Sequence, residues 1–278
     1  MKAIFDDVSE KCSVLTTKSY STSFSMGILL LAESMRKPIY AIYGFVRFAD
    51  EIVDTFHEYD KAALLGKFRM ETFEAIEKGI SMNPILNSFQ WAVNTYRIDL
   101  GLVGTFLNSM EMDLDQTSHD DGSLSTYILG SAEVVGLMCL KVFCRGEDLL
   151  YEKLKGPAMK LGAAFQKVNF LRDLKYDHEA LGRTYFPGID FRHFSTVQKK
   201  QIEKEIEDDF REALIGIKEL PKPARLGVYV AYVYYIQLFR KIRKFPPEKV
   251  KTERIRVHNF EKLRLLCSSY FYHNLDLL

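Results

Sequence analysis

The chain has 278 residues, of which 47% are hydrophobic and 27% charged, as in an ordinary soluble globular protein with a substantial core. A formal net charge of +1 gives no electrostatic reason to expect a nucleic acid as a partner. The longest apolar run, about residues 227–239, is too short to span a bilayer.

The expected compartment is the cytoplasm. Asp6 and Asp7 lie where a secretory signal would be basic and then apolar. The cysteines at positions 12, 139, 144 and 267 show no C-x-x-C pair and no metal-ligand spacing. We interpret them as buried thiols of a reducing compartment.

Helical periodicity covers most of the chain, because apolar residues recur about every 3.6 positions. The predicted helices, in chain order, are Ile39–Phe56, Lys61–Glu77, Ile85–Tyr96, Val103–Asp113, Ser123–Phe143, Glu147–Leu154, Leu161–Asp177, Lys199–Lys218, Ala224–Arg243 and Val257–Tyr270. Turn residues separate them, for example at Asn83-Pro84 and Gly156-Pro157. No strand-like alternation of useful length appears. The sequence therefore predicts an all-α protein that forms a single domain over residues 1–278.

The first predicted helix carries a D-x-x-x-D motif at Asp50 and Asp54. With Tyr43 and Arg47 these acids follow spacings of four, three and four, so they form one polar stripe on an apolar helix. Carboxylates suit Mg²⁺, and an arginine fork matches phosphate. The alternative is a solvated face with a surface ion pair between Arg47 and Asp50.

A second D-x-x-x-D motif joins Asp173 and Asp177 on the helix Leu161–Asp177. Gln166 and Asn169 lie on the same stripe, and Arg172 precedes the first acid. Downstream, Arg183 and Tyr185 place a cation and a phenol where the helix ends. A solvated helix face is again the alternative. Two such stripes in one helical chain favour a shared site for divalent cations and a polyphosphate.

At these segments the chain resembles the squalene and phytoene synthase family, the head-to-head isoprenyl diphosphate synthases, and is most similar to its bacterial phytoene synthases. The likeness rests on residues 20–25 (YSTSFS), 41–54 (AIYGFVRFADEIVD), 110–114 (MEMDL), 127–136 (YILGSAEVVG), 165–177 (FQKVNFLRDLKYD) and 183–187 (RTYFP). It covers roughly residues 18–190 and fades afterwards. The resemblance implies an isoprenoid-synthase-type helical bundle around a central apolar cavity.

The resemblance also implies roles for individual residues. The implied metal ligands are Asp50, Asp54, Asn169, Asp173 and Asp177. The implied catalytic set joins the four acids with Arg47, Tyr43 and Tyr185. The implied substrate or diphosphate contacts are Ser21, Ser23, Phe24, Tyr127, Gln166, Arg172, Arg183 and, less directly, Tyr235. Position 20 is Tyr where some members of the family carry His.

The reaction implied is Mg²⁺-dependent condensation of two geranylgeranyl diphosphates to phytoene through a cyclopropylcarbinyl diphosphate, a step in carotenoid biosynthesis. Mn²⁺ is an alternative metal, and NADPH is not expected for phytoene synthesis. One rival is a squalene or dehydrosqualene synthase that uses two farnesyl diphosphates. Another is a non-catalytic family member that acts as an assembly protein, although such a protein should have lost acids from one motif.

Basic residues gather late in the chain. They are Arg240, Lys241, Arg243, Lys244, Lys249, Lys251, Arg254 and Arg256, against only Glu248 and Glu253. One interpretation is a solvated basic face. The other is peripheral contact with an anionic membrane, which suits delivery of an apolar product. We expect a monomer or weak dimer.

Overall fold

A computed structural model describes residues 1–115, 118–188, 194–252, 254–258, 261–262, 264–266 and 268–269. The protein is 82% helical, and the described residues contain no strand, so the all-α prediction is confirmed. Extended pairing in this part of the chain is limited to an isolated bridge between Ser118 and Thr184.

Within the described residues, twelve α-helices and one π-helical turn have defined bounds. They are α1 (Lys2–Tyr20), α2 (Thr22–Leu29), α3 (Glu33–Thr55), α4 (Lys61–Lys78), α5 (Pro84–Tyr96), α6 (Leu100–Asp115), α7 (Asp121–Ile128), the π-helical turn Leu129–Glu133, α8 (Val134–Cys144), α9 (Asp148–Glu179), α10 (Thr196–Glu219), α11 (Lys222–Arg243) and α12 (Pro247–Val250).

Several helices begin where capping chemistry favours a start. Asn83 and Asp60 accept backbone hydrogen bonds from the first turns of α5 and α4. Asp120 and Ser195 each form a capping box with the residue three positions later. The last predicted helix, Val257–Tyr270, is only partly described: residues 257–258 are not helical, the described residues between 261 and 269 are, and Tyr270 lies outside the described residues.

Helices α1 and α2 are absent from the predicted set. The buried positions of α1 are Ser9, Ser13 and Thr17, spaced four apart. Their hydroxyl groups donate to carbonyl oxygens one turn earlier, at Phe5, Ser9 and Ser13. This helix therefore buries a hydroxyl-bearing face, which an apolar periodicity cannot reveal.

The predicted break at Gly156-Pro157 is wrong, because α9 runs without interruption through Pro157. An interior proline costs about 3 kcal/mol in helix stability. Tertiary packing offsets this cost, since α9 lies along α10 and Pro157 packs against Gly216. A Cβ atom at Gly216 would lie 2.3 Å from the Pro157 Cβ atom. The glycine thus makes room for the proline ring.

The predicted helix Ser123–Phe143 is α7, the π-helical turn and α8 in one run. Gly130 in the π-helical turn lies against α6, where an added Cβ would be 2.6 Å from the Ser109 Cβ atom. Within the described residues, the run Asp121–Cys144 is the one helix long and apolar enough to cross a membrane. This helical run is longer than the apolar run at residues 227–239 that the sequence analysis identified. Because 61% of its apolar window is buried inside the protein, it also fits a core helix.

The core consists of two hydrophobic clusters with a cavity between them. One cluster includes Phe45, Phe89 and Phe106. The other includes Phe170 and Phe239. Residues from both clusters line a cavity of about 700 Å³, so the predicted helical bundle around an apolar cavity is confirmed. That residues 1–278 form a single domain stays a prediction.

Candidate active site

Helix α3 directs its predicted polar stripe into the cavity. Tyr43, Arg47, Asp50 and Asp54 all line it. The opposite face of α3 is buried through residues such as Phe45. The stripe is therefore part of a concave site and not an open solvated face.

Arg47 does not form the surface ion pair with Asp50 that was the alternative interpretation of this motif. Its guanidinium pairs with Glu51, one turn on, rather than with Asp50. The same guanidinium lies over the Tyr20 ring, 4.3 Å from its centroid. Burial raises the pKa of Asp50 to about 7, and the nearby Asp54 carboxylate adds to the rise. A cation placed between these acids would relieve that cost.

Helix α9 brings the second stripe to the same cavity. Gln166, Asn169, Asp173 and Asp177 all line it. Burial raises the pKa of Asp177 to about 8, helped by the charges of Asp173 and of Asp54 on α3. Asp54 and Asp177 both line the cavity, so the two acidic motifs meet at one site.

Two arginines hold Asp173. Arg172 Nε donates to its Oδ1 atom at 3.0 Å. Arg254 Nε, from the segment after α12, lies 2.7 Å from the same Oδ1 atom. Asn169 is held differently, because its Oδ1 atom accepts a hydrogen bond from the Tyr235 hydroxyl at 3.3 Å.

Arg183 joins the segment after α9 to the first acidic helix. Only 6% of the residue is exposed. Its Nη1 atom donates to Asp54 Oδ1 at 2.8 Å, and its Nη2 atom donates to the carbonyl oxygen of Asp113 at 2.9 Å. The Tyr185 hydroxyl accepts from Nη1 at 3.3 Å. Arg183 is thus already engaged with protein groups at the edge of the cavity.

Aromatic rings form much of the wall beneath the acids. The centroids of Phe24 and Tyr43 are 5.5 Å apart. Tyr235 stacks on Phe165, with centroids 3.9 Å apart. Tyr185 stacks on Phe170 at 4.1 Å, on the side where Tyr127 also faces the cavity. The structure therefore gathers all five aromatic residues predicted for the pocket: Phe24, Tyr43, Tyr127, Tyr185 and Tyr235.

The two predicted serines separate. Ser21 lines the cavity and caps α2 by accepting a hydrogen bond from the Phe24 backbone N–H at 3.2 Å. Ser23, although described, is not among the residues that line the cavity. Of the two predicted serines, the structure thus places Ser21 at the cavity and Ser23 away from its lining.

Three cavity residues that contact the predicted site residues were given no site role from the sequence. Asp113 is buried and contacts Arg183, Tyr127 and Tyr185. Its segment was matched to the family, but an acid in an apolar helix was the only local signal. Tyr20 covers Arg47. Arg254 was assigned to a basic face, and its contact with an acid 81 residues away has no local signature.

The carboxylate and amide oxygens of the site fit a hard divalent cation that also binds water and phosphate oxygens. Among the described residues, no group of three or more His, Cys, Asp or Glu side chains could hold a metal ion. Mg²⁺, however, usually takes one or two carboxylates together with waters and substrate phosphates. The paired acids on each helix, and the raised pKa values of Asp50 and Asp177, fit ions of that kind.

The late basic segment is less free than its sequence indicates. Lys241 pairs with Glu261, Arg243 with Glu207, and Arg254 with Asp173. Arg240 and Lys244 are exposed beside a surface depression lined by residues 237, 240, 241, 243 and 244. Glu253 lies outside the described residues.

Comparison with known proteins gives relatives of consistent type. Phytoene synthase 1 of Zea mays is 26% identical over 262 residues, which are 87% of this chain and 62% of that protein. The phytoene synthase of Arthrospira platensis is 25% identical over 265 residues, 86% of this chain and 84% of that protein. The 4,4'-diapophytoene synthase of Staphylococcus haemolyticus (strain JCSC1435) is 26% identical over 194 residues, 68% of this chain and 65% of that protein. The chain thus spans about three fifths of the length of the plant relatives.

Solved structures show the same fold. A dehydrosqualene synthase crystallised with ligand superposes with a TM-score of 0.83 at 21% identity, covering 97% of this chain and 98% of that one. A squalene synthase from Alicyclobacillus acidocaldarius gives a TM-score of 0.74 at 19% identity, covering 87% and 95% of the two chains. The family model described as squalene/phytoene synthase matches residues 17–261. The chain belongs to the squalene/phytoene synthase family.

Proposed function

We propose that the protein joins two allylic isoprenyl diphosphates head to head, and that the preferred reaction converts two C20 geranylgeranyl diphosphates to phytoene. The observation that carries this proposal is that the acids of both D-x-x-x-D helices line one largely apolar cavity of about 700 Å³. Family membership and the phytoene synthases among the relatives support the reaction class.

The acidic end of the cavity would bind the two diphosphates. When bound there by Asp50, Asp54, Asn169, Asp173 and Asp177, Mg²⁺ or Mn²⁺ would supply Lewis-acid stabilisation of the leaving groups. Arg47 and Arg172, which line the same end, add permanent positive charge. Gln166 and Ser21 offer neutral hydrogen bonds that orient the phosphate oxygens.

The apolar part of the cavity would hold the isoprenyl chains and protect the cations. Breaking the C1–O bond of one substrate gives an allylic cation, which water would quench. Attack by the other substrate's double bond and loss of one proton give a cyclopropylcarbinyl diphosphate. The rings of Phe24 and Tyr43 line the cavity 5.5 Å apart, and each would stabilise such a cation by about 1–2 kcal/mol through cation–π attraction.

The second half of the reaction decides whether a reductant is needed. Departure of the second diphosphate and rearrangement give another cation. Loss of a second proton yields phytoene and two diphosphates, so no hydride donor enters the balance. Squalene formation would instead require hydride transfer to that cation. NADPH is therefore not expected for the preferred reaction.

Two alternatives remain distinct from this proposal. A C15 enzyme that makes squalene or dehydrosqualene would use the same diphosphate end, and solved structures of that type share the fold. A non-catalytic assembly protein would not need four acids at the cavity, and this chain has all of them there.

Product analysis tests the proposal. Purified protein is incubated with C20 or C15 diphosphate and Mg²⁺, with and without NADPH, and the hydrocarbons are separated by chromatography. We expect phytoene from the C20 substrate, with no dependence on NADPH. A preference for the C15 substrate would contradict the C20 assignment. Absence of hydrocarbon from both substrates would contradict the proposed enzymatic activity.

We further propose peripheral contact with anionic membranes through Arg240 and Lys244, two exposed cations near the end of α11. Such contact would assist release of an apolar product from a cytoplasmic monomer or weak dimer. Glutamate at both positions should reduce co-sedimentation with anionic vesicles. The matched control reverses Lys67 and Lys78 on α4. Equal binding by both double variants would contradict the contact.

A further inference from the structure

Asp113, at the wall of the cavity, is the acceptor of a buried hydrogen-bond network. It is 8% exposed, near the end of α6. The Tyr127 hydroxyl donates to its Oδ2 atom at 2.7 Å, and the Tyr185 hydroxyl donates to its Oδ1 atom at 3.4 Å. Arg183 Nη1 lies 3.4 Å from Oδ1. One carboxylate therefore receives two phenols and a guanidinium.

Surrounding rings fix both phenols in place. Tyr185 lies between Phe170, at 4.1 Å, and the His119 ring, at 5.6 Å. Tyr127 lies 5.2 Å from Tyr185 and 5.2 Å from His119. Because packing sets where the rings lie, the remaining variable is the direction of each hydroxyl hydrogen. Asp113 sets that direction.

We propose that Asp113 is a positioning residue, which keeps the Tyr127 hydroxyl hydrogen turned away from the reacting chains. The role rests on the proposed head-to-head condensation. An ionised carboxylate only accepts hydrogen bonds, so Tyr127 must spend its hydrogen on Asp113. The phenol oxygen then offers lone pairs, and not a hydrogen, to a cation in the cavity. The carboxylate also polarises the phenol and makes its oxygen more negative.

The two phenols differ in this respect. The Tyr185 oxygen accepts a hydrogen bond from Arg183 Nη1 at 3.3 Å, which draws electron density from that oxygen. The Tyr127 hydroxyl donates to Asp113 at 2.7 Å, and the neighbouring Tyr185 hydroxyl adds to the rise that burial causes in the pKa of Tyr127. Tyr127 is therefore the phenol through which Asp113 acts on the cavity, while Tyr185 and Arg183 hold Asp113 itself.

The test is a double-mutant cycle with Asp113→Asn and Tyr127→Phe. The asparagine keeps the shape but replaces one acceptor oxygen with an N–H donor. Asp115→Asn, an exposed acid on the same helix, is the matched control. For each variant kcat, KM and the thermal midpoint are measured, together with the fraction of consumed C20 diphosphate that ends as prenyl alcohol instead of hydrocarbon.

We expect each single variant to lower kcat by about ten-fold or more with little change in KM, and to raise the alcohol fraction. The double variant should be no worse than the poorer single variant, because both changes remove one interaction. Multiplied losses, or an unchanged alcohol fraction in Asp113→Asn, would overturn the role while leaving the proposed function intact. Wild-type protein that makes no hydrocarbon would instead remove the proposed function. If Asp113→Asn fails to fold, Tyr127→Phe carries the test through its alcohol fraction.

Discussion

Arg183 and Asp54 form the ion pair that joins the two halves of the site, with Nη1 and Oδ1 2.8 Å apart and the two residues 129 positions apart in sequence. Asp54 ends the first acidic stripe on α3, and Arg183 follows the second stripe on α9. The buried guanidinium also donates to the Val53 and Asp113 carbonyl oxygens. The position of one acidic helix against the other therefore depends on this side chain.

Replacing Arg183 with glutamine should destabilise the protein by about 3 kcal/mol or more, because Asp113 would lose its buried countercharge. Chemical denaturation measures the free energy of unfolding. The control is Arg211→Gln, whose pair with Asp208 is largely exposed and should contribute about 0.5 kcal/mol or less. Equal stability of the two variants would show that Arg183 does not hold the fold.

The metal-free protein should become less stable as the pH rises from about 4 to about 8. The Asp50 and Asp177 carboxyls have folded-state pKa values raised by burial to about 7 and about 8, against a usual 3.8. The folded state thus binds more protons than the unfolded state in this window, so raising the pH favours unfolding. Thermal midpoints measured in a chelator should show this slope.

The same titration predicts how Mg²⁺ acts. Because a bound cation replaces these protons, the rise in thermal midpoint on adding Mg²⁺ with diphosphate should grow with pH. Asp50→Asn should flatten the metal-free slope, whereas Asp115→Asn should leave it unchanged. An Asp50→Asn slope identical to that of the wild type would show that Asp50 is not protonated in the folded protein.

Alanine at Gly216 should cost about 1–3 kcal/mol, because its Cβ would lie 2.3 Å from the Pro157 Cβ atom and force α9 away from α10. Gly66 on α4 is the matched control, since nothing lies within 4 Å of its added Cβ. Gly66→Ala should stabilise the protein by about 0.4–1 kcal/mol. Similar thermal midpoints for the two variants would mean that Pro157 can move aside without a loss of stability.

The acidic stripes were predictable because their information is local. Spacings of three and four residues place Arg47, Asp50 and Asp54 on one side of α3, and the structure has them there. The helix through Pro157 was not predictable, because its support comes from Gly216, far along the chain. Helix α1 was not predicted, because its buried face carries the hydroxyl groups of Ser9, Ser13 and Thr17 in place of apolar side chains.

The contacts between site residues that lie far apart in the chain could not be predicted from the sequence. The contact of Arg254 with Asp173 and that of Tyr235 with Asn169 join residues 81 and 66 positions apart. Such contacts depend on how helices pack and leave no spacing in the sequence. Asp113 lay in a segment matched to the family, yet its role became visible only when Tyr127 and Arg183 were seen around it.

The most direct measurement compares hydrocarbon formation from C20 diphosphate and Mg²⁺ by the wild type, Asp50→Ala and Asp173→Ala, with circular dichroism to verify folding. Removing either carboxylate should leave one diphosphate without its bound metal ion. Both variants should still fold, and each should lose at least about 100-fold in turnover. The Asp115→Ala control should match the wild type. Near-wild-type product from a folded Asp50→Ala or Asp173→Ala variant would contradict the assignment of the two acidic helices to one diphosphate site.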